Sequence, residues 1–276
     1  MTMMIELTDL EVSTGTYATD FLAQETGLSK SKIKSTMNRG AVWLRSGSSV
    51  KRLRRAKAKL VPGDRVSIYY SQKVIETVPV EPLLVDDQSV FSVWEKPVGL
   101  MSGGSRFGDH CSINRVVEQR LDRPTFLVHR LDLYVWGLMV LAHSKSAAAH
   151  LSRQFQARKT TKIYHAIVHG KLLEERTINT PVDNKTACSM VKPISHDADT
   201  SLIEVRIDTG RKHQIRQHLA SINHPVVGDR QYGSDDLKGI QLAAVELGFE
   251  SPRNFEWQSY ALADNKRPAF RSQEAK

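Results

Sequence analysis

Three separate segments carry side chains that could act together in nucleophilic or acid–base chemistry. Asp132 lies just ahead of an apolar run, Tyr164 lies in an alternating segment, and Arg216 lies in the stretch DTGRKHQIRQHLASINHPVVGDRQYG. An ionised carboxylate can serve as a nucleophile or as a general base, and a phenol can take part in proton transfer. A guanidinium beside that carboxylate would keep it ionised, because an adjacent opposite charge lowers a carboxyl pKa. We expect the three side chains to meet.

The segment that carries Arg216 predicts a strand followed by a helix. Residues 202–207 alternate in polarity, Thr209-Gly210 breaks that alternation, and apolar residues then recur at helical spacing within 211–221. Arg216 falls on a helix face distinct from the apolar stripe, so its guanidinium should leave the core and meet an anion. We expect that anion to be Asp132.

The other two segments place Asp132 and Tyr164. Asp132 precedes the apolar run 138–142, which predicts a loop that leads into a buried strand. Residues 162–168 alternate, which puts Lys162 and Tyr164 on one face of a strand. Simpler structural roles are also compatible with these residues taken singly: Asp132 as a turn residue, Tyr164 as core, and Arg216 as a surface ion-pair partner of little energetic value.

The motifs HRLD, KIYHAIVHG and TGRKHQIRQHLASINHPVVGDRQYG, in this order, resemble those of the RluA-type pseudouridine synthases, and weaker similarity covers residues 85–255. The resemblance implies an isomerase that converts uridine to pseudouridine in RNA. It implies Asp132, Tyr164 and Arg216 as catalytic residues, and Arg130 as the side chain that fills the gap left by the flipped nucleotide. The reaction involves no redox change, so no cofactor is expected, and the histidine spacing does not predict a metal site.

One departure from the family pattern keeps a second interpretation open. The family usually has Thr-Ser three and four residues after the aspartate, where this chain has Val135-Trp136. We interpret the change as altered substrate fit, with Trp136 as an RNA-binding residue whose indole stacks on a base. The alternative is a catalytically impaired RNA-binding or ribosome-assembly factor on the same scaffold. A metal-dependent nuclease is disfavoured because no carboxylate cluster is present.

Basic residues are concentrated near the start of the chain. The net charge is +9, and residues 28–62 hold eleven Lys and Arg but no Asp or Glu. This distribution predicts a polyanionic partner, RNA, although an anionic membrane surface would attract the same charge. A solvated face or a flexible basic arm would also give this composition. The candidate RNA-binding residues of this stretch are Lys30, Lys32, Lys34, Arg52, Arg54 and Arg55.

The same stretch is similar to the alpha-L RNA-binding module of a ribosomal protein, except that the usual tight NGK turn is replaced by RSGSSVKRLRRAKAKL. We predict an alpha-L-type RNA-binding domain over 1–76, a linker over 77–87, a catalytic domain over 88–262 and a disordered tail over 263–276. Both domains should be α+β, and the catalytic one should have a mixed, mainly antiparallel sheet of pseudouridine synthase type.

Composition limits the cellular setting. No apolar run approaches the roughly 18 residues that a membrane span requires, and the first residues lack the pattern of a signal peptide. Cys111 and Cys188 form no CxxC pair, so neither a disulfide framework nor a zinc site is expected. We expect a cytoplasmic monomer that acts on a structured RNA, ribosomal RNA rather than transfer RNA, and has no membrane partner.

Overall fold

The computed structural model describes residues 3–233 and 239–270. The chain divides into two compact units, of which the first comprises residues 1–79 and 103–119 and the second comprises residues 80–102 and 120–276. The predicted boundary near residue 76 lies close to the first division, but no sequence pattern indicated that residues 103–119 belong to the first unit. No helix within the described residues is long and apolar enough to cross a membrane.

The first unit is a small α+β structure. Its elements before residue 80 are β1 Met4–Glu11, β2 Thr16–Tyr17, α1 Ala18–Thr26, α2 Lys30–Asn38, β3 Val42–Ser46, β4 Ser49–Arg52, β5 Lys59–Leu60, β6 Arg65–Ser71 and α3 Gln72–Glu76. An antiparallel sheet has the order β1-β6-β3-β4, and β2 pairs with β5. Leu22, Ile33 and Met37 are fully buried in the core of this unit, which fixes α1 and α2.

Local sequence explains two features of the first unit. Ser29 caps α2, because its hydroxyl accepts a hydrogen bond from the Lys32 N–H at 3.3 Å. Ser46 pairs with Ser49, so β3 and β4 are joined by a two-residue turn at Gly47 and Ser48, where Gly47 has a φ of +59°. The turn itself is therefore tight, contrary to the long turn that the sequence RSGSSVKRLRRAKAKL predicted, and the additional basic residues follow it.

The rest of the chain builds a mostly antiparallel sheet with helices. Its elements are β7 Leu83–Asp87, β8 Phe91–Lys96, α4 Ile113–Leu121, β9 Phe126–Leu127, β10 Trp136–Ala142, α5 Lys145–Gln156, β11 Thr161–His169, β12 Arg176–Ile178, β13 Ser189–His196, β14 Thr200–Ile207, α6 Gln214–Ser221, β15 Leu242–Glu250, β16 Trp257–Ala261 and a 3-10 turn at Asp264–Lys266. The boundary between the two units at residue 119 falls within α4.

Strand order brings the predicted site segments together. The large sheet runs β12-β13-β14-β11-β15-β10-β8-β7, with β16 also paired to β15 and β9 to β10. β10 and β15 run parallel, whereas β11 is antiparallel to both β14 and β15. The loop before β10, which carries Asp132, therefore lies two strands away from Tyr164 on β11.

A glycine permits the close contact between β10 and β15. Gly137 has a φ of +114°, and a Cβ atom at this position would lie 2.2 Å from the Ala244 carbonyl oxygen. No side chain fits at that distance, so the parallel pair requires glycine. Gly137 and Tyr164 are both register partners of Ala244, one from each side.

Two predicted segments need correction or delimitation. The predicted linker over 77–87 contains β7, an edge strand that pairs with β8, because Leu83–Asp87 supplies backbone groups to the sheet despite its flanking prolines. In the predicted tail, residues 263–270 are described and contain the 3-10 turn. Residues 271–276 lie outside the described part of the chain.

Candidate active site

Asp132 lies in the loop between β9 and β10, where its side chain is 18% exposed. A pocket at this point is lined by Arg130, Val135 and Tyr164 together with the Asp132 side chain and the start of α6. The loop is held by a backbone hydrogen bond from the Val135 N–H to the Asp132 carbonyl at 3.2 Å. The carboxylate is thus partly screened from solvent and accessible from the pocket.

Arg216 lies near Asp132 but binds a different carboxylate more closely. Its Nε donates to Asp229 Oδ2 and its Nη2 to Asp229 Oδ1, both at 2.7 Å, whereas its Nη1 lies 3.6 Å from Asp132 Oδ2. The predicted pair of Arg216 and Asp132 is therefore incomplete as an account of the site, because Asp229 occupies the two-pronged edge of the guanidinium. The sequence reasoning missed Asp229.

Asp229 is fully buried, and its local backbone explains why it can stay charged. Its Oδ1 also accepts hydrogen bonds from the N–H groups of Gln231 and Tyr232, at 3.0 and 3.2 Å. Burial raises the pKa of Asp229, but the hydrogen bonds and charge of Arg216 and these N–H groups hold that pKa below its ordinary value. Asp229 is therefore a permanent anion that fixes the guanidinium.

His213 is the second basic side chain beside Asp132. It precedes α6 in the left-handed conformation, with a φ of +56°, and its Nε2 lies 3.8 Å from Asp132 Oδ2. Its Nδ1 is 3.0 Å from the Tyr232 hydroxyl. Burial lowers the pKa of His213, although the charge of Asp132 opposes this. The imidazole is neutral near pH 7 and orients the site through hydrogen bonding.

Tyr164 forms the pocket wall opposite α6 and is 8% exposed. Burial, reinforced by the negative charge of Asp132, raises the pKa of its phenol far above the ordinary value. The phenol is therefore protonated throughout the physiological range. The Tyr164 side chain lines the pocket together with Asp132.

Lys96, at the end of β8, is a buried cation that sequence reasoning also missed. It is fully buried, and its Nζ donates to the carbonyls of Pro97 and Leu100 at 2.9 and 2.8 Å, with Leu133 at 3.4 Å. Burial lowers its pKa to about 7, although the charge of Asp132 opposes this. Because Leu133 follows Asp132, Lys96 anchors the loop that presents the carboxylate. The sequence signal for a buried lysine was its place at the end of the strand segment FSVWEK.

The predicted RNA-binding residues near the site differ in their exposure. Arg130 is exposed and lines the pocket mouth. Trp136 is instead partly buried against the sheet core, and its indole N–H donates to the Lys266 carbonyl at 3.0 Å. Its packing against the core at the start of β10 gives Trp136 a structural role, and base stacking by Trp136 stays a prediction. Val135, which is buried, lines the pocket.

The basic residues of the first unit also separate into two groups. Arg52 and Arg54 both bind Asp109, and they donate further hydrogen bonds to the carbonyls of Gly40, Ser105 and Asn38. These two arginines stabilise the unit, and their role in RNA binding stays a prediction.

The remaining predicted cations lie at the surface of the first unit. Lys32, Lys34 and Arg55 are exposed. Lys30 is exposed and lies 2.6 Å from Asp20. The surface that a polyanion could reach therefore comprises fewer cations than the sequence count indicated.

The sequence is similar to those of known proteins. Residues 90–221 match the family model described as RNA pseudouridylate synthase. An uncharacterized RNA pseudouridine synthase of Aquifex aeolicus is 32% identical, with 86% of each chain covered, and YlyB of Bacillus subtilis is 30% identical, with 93% of each covered. The dual-specificity synthase RluA of Vibrio parahaemolyticus is 34% identical over 64% of this chain and 81% of its own.

Solved structures agree on the fold. Human RNA pseudouridylate synthase domain containing 1 superposes with a TM-score of 0.56 at 21% identity, covering 68% of this chain and 86% of its own. The fold and the sequence matches define an isomerase that forms pseudouridine in RNA. The chain belongs to the RluA family of RNA pseudouridine synthases.

Proposed function

We propose that Asp132 carries out the isomerisation of a uridine in a folded ribosomal RNA, as nucleophile or as general base on the sugar. The observation that carries this proposal is the position of Asp132 in the pocket between Tyr164 and Arg216, with Arg216 Nη1 at 3.6 Å. A fixed positive charge at that distance attracts the carboxylate without occupying it in a short hydrogen bond.

The isomerisation requires no net gain or loss of atoms. The bond from N1 of uracil to C1′ breaks, the bond from C5 to C1′ forms, C5 loses a proton and N1 gains one. Asp132 would act at the sugar, and Tyr164 would support the uracil ring and assist transfer of the C5 proton. Arg130, exposed at the pocket mouth, would occupy the space that the flipped nucleotide leaves in the stack.

The exposed cations of the first unit support a large folded RNA as substrate. Lys32, Lys34 and Arg55 face solvent on a unit that contributes no residue to the pocket of Asp132. Phosphate contacts of this kind add affinity but do not choose a base. The enzyme would meet such an RNA in the cytoplasm.

The decisive experiment compares the parent with Asp132→Asn. The amide keeps the shape of the side chain but is neither a nucleophile nor a base, so conversion should disappear while the Kd for RNA stays within about threefold of the parent value. Conversion by the variant at a parental rate would refute the role of Asp132. Mapping of pseudouridines across cellular RNA with and without the protein identifies the substrate, and a parent enzyme that modifies no RNA would favour the assembly-factor alternative.

A further inference from the structure

A second cleft lies beside the pocket of Asp132. It has a volume of about 390 Å³ and shares Arg130, Tyr164 and Arg211 with that pocket. Its additional walls come from the end of α5, the start of β11 and the end of β14. The cleft is therefore continuous with the place where a uridine would react, and it belongs entirely to the second unit.

Positive charge dominates the lining of this cleft. Arg130, Arg158, Lys162 and Arg211 line it together with one carboxylate, that of Asp208. The hydrogen bonds made by two of these cations go to neutral carbonyl groups. Lys162 Nζ donates to the Asp208 carbonyl at 3.0 Å, and Arg211 Nε donates to the Thr186 carbonyl at 3.2 Å. Because carbonyl acceptors do not neutralise a cation, the cleft keeps a net positive field.

Arg158 reaches this cleft from a strained backbone. It follows Ala157, the C-cap residue of α5, and has a φ of +58°, a left-handed conformation that glycine usually provides after a helix. A residue with a side chain is disfavoured in that conformation relative to glycine. The next residue, Lys159, lines a different cavity with Arg153 and Glu250. A charged side chain thus occupies a position where the backbone conformation favours glycine.

We infer that Arg158, Lys162 and Arg211 in this cleft bind the phosphate backbone of the RNA strand that flanks the reacting uridine. The inference rests on the proposed function, since it assigns part of the same substrate. Guanidinium groups and an ammonium group suit phosphate oxygens, and continuity with the pocket suits a strand that leads into it. Contacts of this kind fix the register of the strand and thereby select which nucleotide enters the pocket.

The test uses two neighbouring residues that differ in the cavity they line. Arg158→Gly removes a cleft cation and relieves the left-handed strain, whereas Lys159→Ala removes one positive charge outside the cleft. With a uridine-containing RNA substrate, Arg158→Gly should weaken binding by about threefold to tenfold at 0.15 M salt and reduce the log-log salt slope by about one unit. Its melting temperature should equal or exceed that of the parent. Lys159→Ala should change neither the affinity nor the slope.

Two further variants separate this inference from the proposed function. Arg158→Lys keeps the charge and the strain and should bind RNA within about twofold of the parent. Equal affinities and salt slopes for Arg158→Gly and Lys159→Ala would overturn the cleft assignment whatever the catalytic result. Parental conversion by Asp132→Asn would overturn the catalytic assignment and leave the cleft result intact.

Discussion

Arg216 is bound side-on by Asp229 through two hydrogen bonds of 2.7 Å, and its Nη1 lies 3.6 Å from Asp132. The guanidinium therefore has its orientation fixed by one carboxylate and offers its charge to another. Asp132 keeps its oxygens accessible for a substrate, because the strongest hydrogen bonds of Arg216 are made elsewhere. Asp229 therefore positions Arg216, a role that the sequence did not predict.

Replacing Asp229 with asparagine should impair catalysis more than RNA binding. Asp229→Asn retains the shape but removes the charge that fixes Arg216, so we expect the single-turnover rate at saturating RNA to fall by roughly 10- to 100-fold. Loss of one partner from a buried pair should also lower the free energy of unfolding by about 3–5 kcal/mol. Rates are measured at a temperature where circular dichroism shows the variant folded.

The control for Asp229→Asn is Asp264→Asn, which removes an exposed carboxylate 3.3 Å from Arg267. It should leave both the rate and the unfolding free energy near parental values. A parental single-turnover rate in Asp229→Asn would show that Arg216 needs no second carboxylate for its orientation.

Periodicity and motif order predicted the parts of the fold that depend on local sequence. The alternation of residues 202–207 gave a strand that the structure extends to Thr200–Ile207, and the helical spacing gave α6, which begins at Gln214. Asp229 was missed because it contacts Arg216 only after the segment that follows α6 folds back onto the helix. No period links the two residues. The sequence did not show which face of β10 is buried at its first residue. It therefore did not reveal that Trp136 packs against the core.

RNA binding should weaken as pH rises from about 7 to 9 because of Lys162. Burial lowers the pKa of this ammonium to about 8, with the charge of Asp208 opposing and that of Arg158 adding to the effect. Phosphate favours the charged form, so the contribution of Lys162 is present below pH 8 and is lost as pH rises through that value. His129 stays neutral across this window, since burial lowers its pKa to about 3.

Fluorescence anisotropy at several pH values checks this expectation. Lys162→Met should bind more weakly at pH 7 and show a flatter pH dependence, because it lacks the ammonium group that loses its charge in this pH range. The control is Lys171→Met, which changes an exposed lysine outside the cleft. A pH dependence of equal steepness in the parent and in Lys162→Met would exclude Lys162 as its source.

Trp136→Ala should reduce stability and leave RNA affinity unchanged. The indole packs against the sheet core and donates to the Lys266 carbonyl, so its removal should cost about 3 kcal/mol of unfolding free energy. Trp136→Phe retains most of the packing and should recover much of that loss. Chemical denaturation and RNA titration on the same samples separate the two effects. Normal stability with weakened binding in Trp136→Ala would support the base-stacking hypothesis.

Reversing the exposed charges of the first unit should weaken RNA binding. The triple variant Lys32→Glu, Lys34→Glu and Arg55→Glu should lower affinity and reduce the log-log salt slope by about two to three units. These substitutions are preferable to deletion of residues 1–76, because residues 103–119 belong to the same unit and contain Asp109, the partner of Arg52 and Arg54.

The matched control for charge reversal makes the same change in net charge on the second unit. Lys171→Glu, Arg176→Glu and Lys192→Glu alter residues that are exposed and line neither the cavities at Asp132 nor the cleft of Arg158. This control should retain most of the parental salt slope. Identical slopes in the two triple variants would mean that the total charge of the protein, rather than a localised RNA surface, governs the affinity.

The glycine at residue 137 has a consequence for the geometry of the reaction. Gly137, Ala244 and Tyr164 stand side by side on three neighbouring strands, and the loop of Asp132 leads directly into the first of them. The distance between the Asp132 carboxylate and the Tyr164 phenol therefore depends on the width of two strand pairings. One of them, between β10 and β15, has its present width because residue 137 carries no Cβ atom. The sheet, and not only the loops, therefore determines which substrates fit between the two side chains.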